Sequence, residues 1–345
     1  MGTRLMLAVF ACLVTVAQAP DPLGVVAVAG LMLGAWTQDP PIALRNIETI
    51  DTTSLIPGEA LLIKGSPVCD RDANVFLMPS SGAGDPPRRI LRISSDGKQA
   101  TWLDLGLLPG YEEEIFYSMV AGPDGHLYAL TLGPKGQRIL EFSERGKLEA
   151  VTPFDRKQIY VKRIAVFDAD AFLVEGVSGE QPAIAVFSRS GEVVKRVSLD
   201  RTDSKAQPTE GRFGADLGHM VSAGDGNIYV VKWTPRKGMA IGISRSGEIV
   251  TRIALTPPDG AQTLTSVKAF KNRMVVEYTR TDASGEFGWW MSVYDLSSGQ
   301  KVADYVPPNA GGGLLCYTSS EVAGDVFTLL GMSSHGLVQL VRVGR

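Results

Sequence analysis

The sequence predicts an all-β chain folded as a six-bladed β-propeller, closed by an N-terminal outer strand on the last blade. Three observations carry that prediction. Six tight turns recur at Asp72-Ala73-Asn74, Asp124-Gly125-His126, Asp168-Ala169-Asp170, Asp225-Gly226-Asn227, Lys271-Asn272-Arg273 and Ala323-Gly324-Asp325, spaced by 52, 44, 57, 46 and 52 residues. A second turn, carrying glycine, follows at Asp96-Gly97, Arg145-Gly146, Ser190-Gly191, Ser246-Gly247 and Ser298-Gly299, at lags of 24, 21, 22, 21 and 27 residues. Between the turns the content is strand-like throughout. A period of roughly 45–50 residues with only short strands is the mark of a propeller.

In chain order, residues 1–35 form an apolar N-terminal segment and 36–345 the propeller. Arg4 precedes a 12-residue apolar core at 5–16, and Ala17-Gln18-Ala19 then offers an A-x-A cleavage site. A second apolar run covers 23–36, and Pro20-Asp21-Pro22 separates the two. Neither reaches the roughly 20 residues that a membrane helix needs. The expectation is export to the periplasm or the extracellular space, by cleavage or with the N-terminus kept as an anchor. No integral span is expected in the mature chain.

The blades fall near 66–105, 116–153, 160–199, 217–256, 264–305 and 314–343. Blade two shows the grammar: 127–132 (LYALTL) and 139–142 (ILEF) flank a turn, and 148–151 alternates after Gly146. Period-two alternation of β-branched and aromatic residues argues half-buried antiparallel strands, and Asp-Gly or Ser-Gly supplies the positive φ of tight hairpins. The sixth blade has runs at 314–318, 326–330 and 337–343 but no fourth strand. An unpaired edge is a liability, so 44–50, or else 60–64, is expected to complete it.

The turn-and-strand runs 120–130 with 139–146, and 221–231 with 241–247, resemble the six-bladed propellers of the NHL-repeat and gluconolactonase-like groups. Blade five departs from their pattern, with Lys271-Asn272 where Asp-Gly is usual. The resemblance implies the fold; such propellers include enzymes, sensors and scaffolding modules, so it leaves the activity open.

Composition excludes some classes. At net charge −3 with no basic stripe, the chain has no electrostatic footprint for nucleic acid. There is no His-x-x-x-His, Cys-x-x-Cys or Gly-x-Ser-x-Gly, so zinc-protease, redox and hydrolase-elbow signals are missing. Cys69 and Cys316 open the first and last blades, which adjoin in a closed ring. They either form a disulfide that locks the seam or remain buried thiols. Counting back from each first turn sets them four residues apart in level, which favours thiols unless the sixth hairpin is longer.

Asp124 and Asp225 have the look of calcium ligands, but each precedes glycine in a hairpin where Asp serves turn geometry. Glu112-Glu113-Glu114 reads as a solvated loop, and alternation leaves one of Trp289 and Trp290 outward. Propeller topology sends these first hairpins to the rim away from the ligand face. The long loops 80–89, 107–115, 200–218 and 280–288 then mark the other rim. Six residues back from each first turn stand Ser66, Ser118, Lys162, His219, Thr265 and Tyr317, a polar ring at the mouth of an axial funnel. Beneath it stand Val68, Val120, Ile164, Val221, Val267 and Ser319.

Two functions follow. One is a monomeric binding module with no cofactor, taking a protein, peptide or glycan through its loop face and funnel. The other is a metal-dependent lactonase-like hydrolase holding a divalent cation on the axis. The mouth ring has no carboxylate, and Glu114 and Glu321 are the only acids expected nearby, which favours binding.

Overall fold

Six antiparallel sheets realise the repeat. The computed structural model describes residues 40–345 apart from 52–61, 81–83, 85, 156, 200–218, 235–236, 282–286, 309–312 and 333–337. The apolar segment 1–35, Cys12, His335, the loop 200–218 and parts of 80–89 and 280–288 therefore lie outside the described residues. Pro41–Arg345 forms one unit.

Two short strands come first, β1 (Ile42–Ala43) and β2 (Arg45–Asp51). Blade one is β3 (Leu62–Cys69), β4 (Val75–Ser80), β5 (Arg89–Ile93) and β6 (Ala100–Asp104). Blade two is β7 (Ile115–Ala121), β8 (Leu127–Gly133), β9 (Gly136–Phe142) and β10 (Leu148–Phe154). Blade three is β11 (Tyr160–Asp168), β12 (Ala171–Ser178), β13 (Gln181–Ser188) and β14 (Val193–Val197). Blade four is β15 (His219–Ser222), β16 (Ile228–Thr234), β17 (Lys237–Ile243) and β18 (Ile249–Leu255). Blade five is β19 (Ala261–Phe270), β20 (Arg273–Thr281), β21 (Phe287–Asp295) and β22 (Lys301–Val306). Blade six has β23 (Leu314–Ser320), β24 (Gly324–Met332) and β25 (Val338–Gly344).

The sixth sheet runs β2-β25-β24-β23, with β2 antiparallel to β25. Residues 62–64, within the other candidate segment, open β3 instead. β1 lies parallel to β22 and makes blade five a five-stranded sheet, a strand outside the repeat pattern. The first strands of successive blades touch in a closed circuit, from β3 to β23 and back to β3, so they line the axis. No helix among the described residues is long and apolar enough to cross a membrane.

Middle strands are more apolar than simple alternation requires, because a blade is covered on both faces. All six residues of β4 are buried, whereas outer strand β18 alternates. Each gap between blades is a separate core. Tyr128, Phe172 and Phe187 fill the gap between blades two and three. Tyr229 and Tyr278 fill that between four and five. Val75 and Leu77 meet Leu315 and Leu340 between one and six.

The glycine of each second turn rests against the outer strand of the preceding blade. A Cβ on Gly146 would meet Leu103 of β6, and one on Gly191 would meet the Pro153 carbonyl of β10. On Gly97, where φ is +69°, it would collide with Ile50 of β2. β2 thus meets blade one as β6, β10, β14 and β18 meet the blades that follow them.

The first-turn aspartates hold their turns. Asp124 accepts from the His126 N–H at 3.0 Å and the Tyr128 hydroxyl at 2.6 Å. Asp225 repeats this with Asn227 and Tyr229 at 3.0 and 2.7 Å. Blade six places its aspartate two residues later in the turn: buried Asp325 accepts from Tyr305 at 2.5 Å, Tyr317 at 2.8 Å and Arg273 at 2.9 Å.

Cys69 and Cys316 form a disulfide, their Cα atoms 5.6 Å apart. The level count that favoured thiols fails because the sixth hairpin is longer. Cys69 pairs with Val75, the first residue of β4, but Cys316 pairs with Thr328, the fifth of β24. The four-residue offset is absorbed there.

Candidate ligand-binding funnel

The inner strands carry the site. Their basic side chains are Lys64 on β3, Lys162 and Arg163 on β11, His219 on β15 and Lys268 on β19, while β7 and β23 carry none. One carboxylate stands on these strands, Asp168, at the turn end, where it pairs with Arg245 at 2.9 Å. Acids gather one strand further out: Glu175 on β12, 4% exposed, and Glu277 on β20, 1% exposed. The axial wall is basic, with buried acids behind it.

Lys268 shows the geometry best. Its ammonium donates to the Pro67 carbonyl at 2.9 Å, joining blade five to blade one. Those blades flank blade six, so the side chain crosses inside β23, within the axial channel. Burial lowers the Lys268 ammonium to about 8, and the nearby Glu277 carboxylate opposes that fall. Glu277 accepts from Thr265 Oγ1 and from the Leu314 N–H, both at 2.7 Å. Burial raises its carboxyl to about 7, against those hydrogen bonds and the Lys268 charge.

Register irregularities interrupt five of the six inner strands on the loop-face side, among them Lys64/Val68, Val161/Arg163 and Leu264/Ser266. Bulges re-aim side chains at such rims. Ser66 is exposed there, and Ser118, Lys162, His219 and Thr265 are half-buried. Thr265 is committed to Glu277, and Arg163 reaches Glu175 at 3.4 Å.

Tyr317 is not at the mouth. It is buried, with its ring 5.3 Å from Phe327 and its hydroxyl on Asp325. The offset that aligns the cysteines explains this: three residues before Cys316 stands Gly313, where a Cβ would lie 3.5 Å from Glu277 Oε2. Gly313 takes the place expected for Tyr317.

The acids need a second correction. Glu114 is no solvated loop residue: it is buried, pairs with Arg138 and accepts from Thr131 Oγ1 at 2.6 Å. Arg138 in turn stacks 4.6 Å from the Tyr111 ring centroid. Glu321 lies exposed in the sixth first turn. Glu175 and Glu277 escape a reading confined to innermost strands. Their signal is a lone Glu inside an apolar strand, AFLVEGVS and RMVVEYTRT. Trp289 and Trp290 are both half-buried, and the Arg280 guanidinium covers Trp290 at 4.8 Å.

An axial divalent cation needs several oxygen ligands at one depth. Among the described residues the donor set does not fit. The wall presents ammonium and guanidinium groups, and both Glu277 oxygens are taken by Thr265 and Leu314.

Fold and funnel define a six-bladed propeller with a basic axial wall. No protein-family model matches the chain, and no curated protein matches it. Among solved structures it resembles a luciferin-regenerating enzyme, at TM-score 0.50 and 8% identity over 89% of this chain and 96% of that one. It also resembles a calcium-binding regucalcin from Agrobacterium tumefaciens, at 0.47 and 14% over 88% and 96%. A gluconolactonase from Xanthomonas campestris matches at 0.45 and 12% over 90% and 99%. At these identities the likeness is one of fold.

Proposed function

We propose that the protein is an exported binding propeller whose axial funnel takes an anionic group, such as a carboxylate of a peptide, glycan or small acid. The carrying observation is the charge order of the wall: Lys162, Arg163 and Lys268 on inner strands, with Glu175 and Glu277 buried behind them. A partly desolvated cation held between a carbonyl and a neutral or shared carboxyl favours an incoming anion. Export is supported by the apolar segment with its A-x-A site and by the disulfide, which suits an oxidising compartment.

The lactonase-like reading has one point in its favour, the fold shared with proteins so named. The donor set on the axis argues against it. Thermal shift and calorimetry with citrate, glucuronate and an acidic hexapeptide, against glucose and calcium chloride, separate the two. Anions raise the melting temperature, Lys268→Met and Arg163→Met abolish the gain, and binding weakens as pH rises through about 8, where Lys268 loses its charge. Lactone hydrolysis that needs calcium or magnesium and is lost in Glu277→Gln would overturn the proposal.

A further inference from the structure

The rim opposite the funnel mouth carries a second cluster, in the first hairpin of blade two. Asp124, His126 and Glu141 each present a ligand atom there, all within 4.8 Å of one another. His126 Nδ1 lies 2.9 Å from Glu141 Oε1 and 3.9 Å from Asp124 Oδ2. Zinc bonds to imidazole nitrogen and carboxylate oxygen of about 2.0–2.2 Å put tetrahedral ligand atoms roughly 3.3–3.5 Å apart. The two His126 separations bracket that figure.

Blade four supplies an internal comparison. Its hairpin repeats the turn, with Asp225 holding the Asn227 N–H and the Tyr229 hydroxyl. There Asn227 stands where blade two has His126, and Gly242 faces Tyr229 as Glu141 faces Tyr128. The turn therefore needs neither the imidazole nor the second carboxylate. Both are additions of blade two, and both belong to a ligand set.

The surroundings suit a divalent ion. Tyr128 donates to Asp124 Oδ2 at 2.6 Å, and Arg189 holds Glu141 Oε2 at 2.7 Å, leaving Oε1 toward the imidazole. Such outer partners orient metal-ligating carboxylates. Arg189 also lies 3.9 Å from Asp170. Arg189 is thus shared by two carboxylates, Glu141 and Asp170. Glu141 is buried, while His126 is 30% exposed on its side chain, which leaves a water-accessible fourth position.

We infer that Asp124, His126 and Glu141 form a zinc-type transition-metal site with one open position, separate from the funnel. The test is calorimetric titration of chelator-stripped protein with Zn²⁺, alongside His126→Asn, Glu141→Gln and Asp225→Ala. His126→Asn installs the blade-four residue, which that hairpin already accommodates. Expected is about one Zn²⁺ per chain, weakened by at least the roughly 10–100-fold that loss of an outer partner alone costs in the two blade-two variants, and unchanged in Asp225→Ala. Zn²⁺ binding that is absent, or equal in the wild type and both blade-two variants, would overturn the inference. Circular dichroism of the metal-free variants separates loss of the site from loss of the fold.

Discussion

Glu277 shows how much one buried group can govern. Its ordinary value is 4.5, and burial raises it to about 7 in the folded protein. Between those values the folded state keeps a proton that the unfolded chain has released. Its contribution to stability is therefore full below about 4.5 and drains away as pH rises through 7. The loss is at most about 3.5 kcal/mol, at roughly 1.4 kcal/mol per pKa unit. Urea unfolding at pH 5 and pH 8 should show the wild type losing about 1–3 kcal/mol more than Glu277→Gln, which keeps an acceptor for the Leu314 N–H. Parallel pH curves would remove Glu277 from this role. The residue was hard to find in the sequence because it lies on a second strand and reaches the axis only past the bulge between Leu264 and Ser266. Tyr317 failed for the opposite reason: its polarity is real, but the longer hairpin carries it four residues deeper, onto Asp325.

Among elements, the turns were the legible part, because glycine, aspartate and serine mark them by local backbone chemistry. Six first turns and five second turns fixed blade number and order without any long-range information. What turns cannot encode is how far a hairpin projects, or that a two-residue strand such as β1 adds itself to a finished sheet. The contact of Gly97 with Ile50 measures the role of β2 directly. Gly97→Ala places a Cβ in a left-handed position and against Ile50, at a cost of about 2–4 kcal/mol. Ile50→Ala alone costs a similar amount, since the side chain is buried in the seam core. Combined, the two substitutions should cost at least about 1 kcal/mol less than their sum, because the smaller side chain removes the collision. Additive costs would mean that β2 and the blade-one turn are energetically independent.

For the whole molecule, composition and repeat together specified a near-neutral ring, yet charge is sorted within it. Cations face the axis and acids back them, an arrangement that net charge conceals and that no single motif announces. The zinc-type cluster lies at the turn end of blade two, so the two proposed sites occupy opposite rims. The same distribution explains why motif scanning found little: each ligand set draws on side chains from two or more strands. The seam has a further consequence for cleavage. The Cys69–Cys316 bond spans 247 residues and makes a covalent circle of most of the ring. A single protease cut within 200–218 therefore leaves one molecule, which migrates as one band without reductant and as two fragments with it. Two fragments without reductant would mean the circle is open. An intact circle lets the two pieces of an internally cut chain stay covalently joined through the seam.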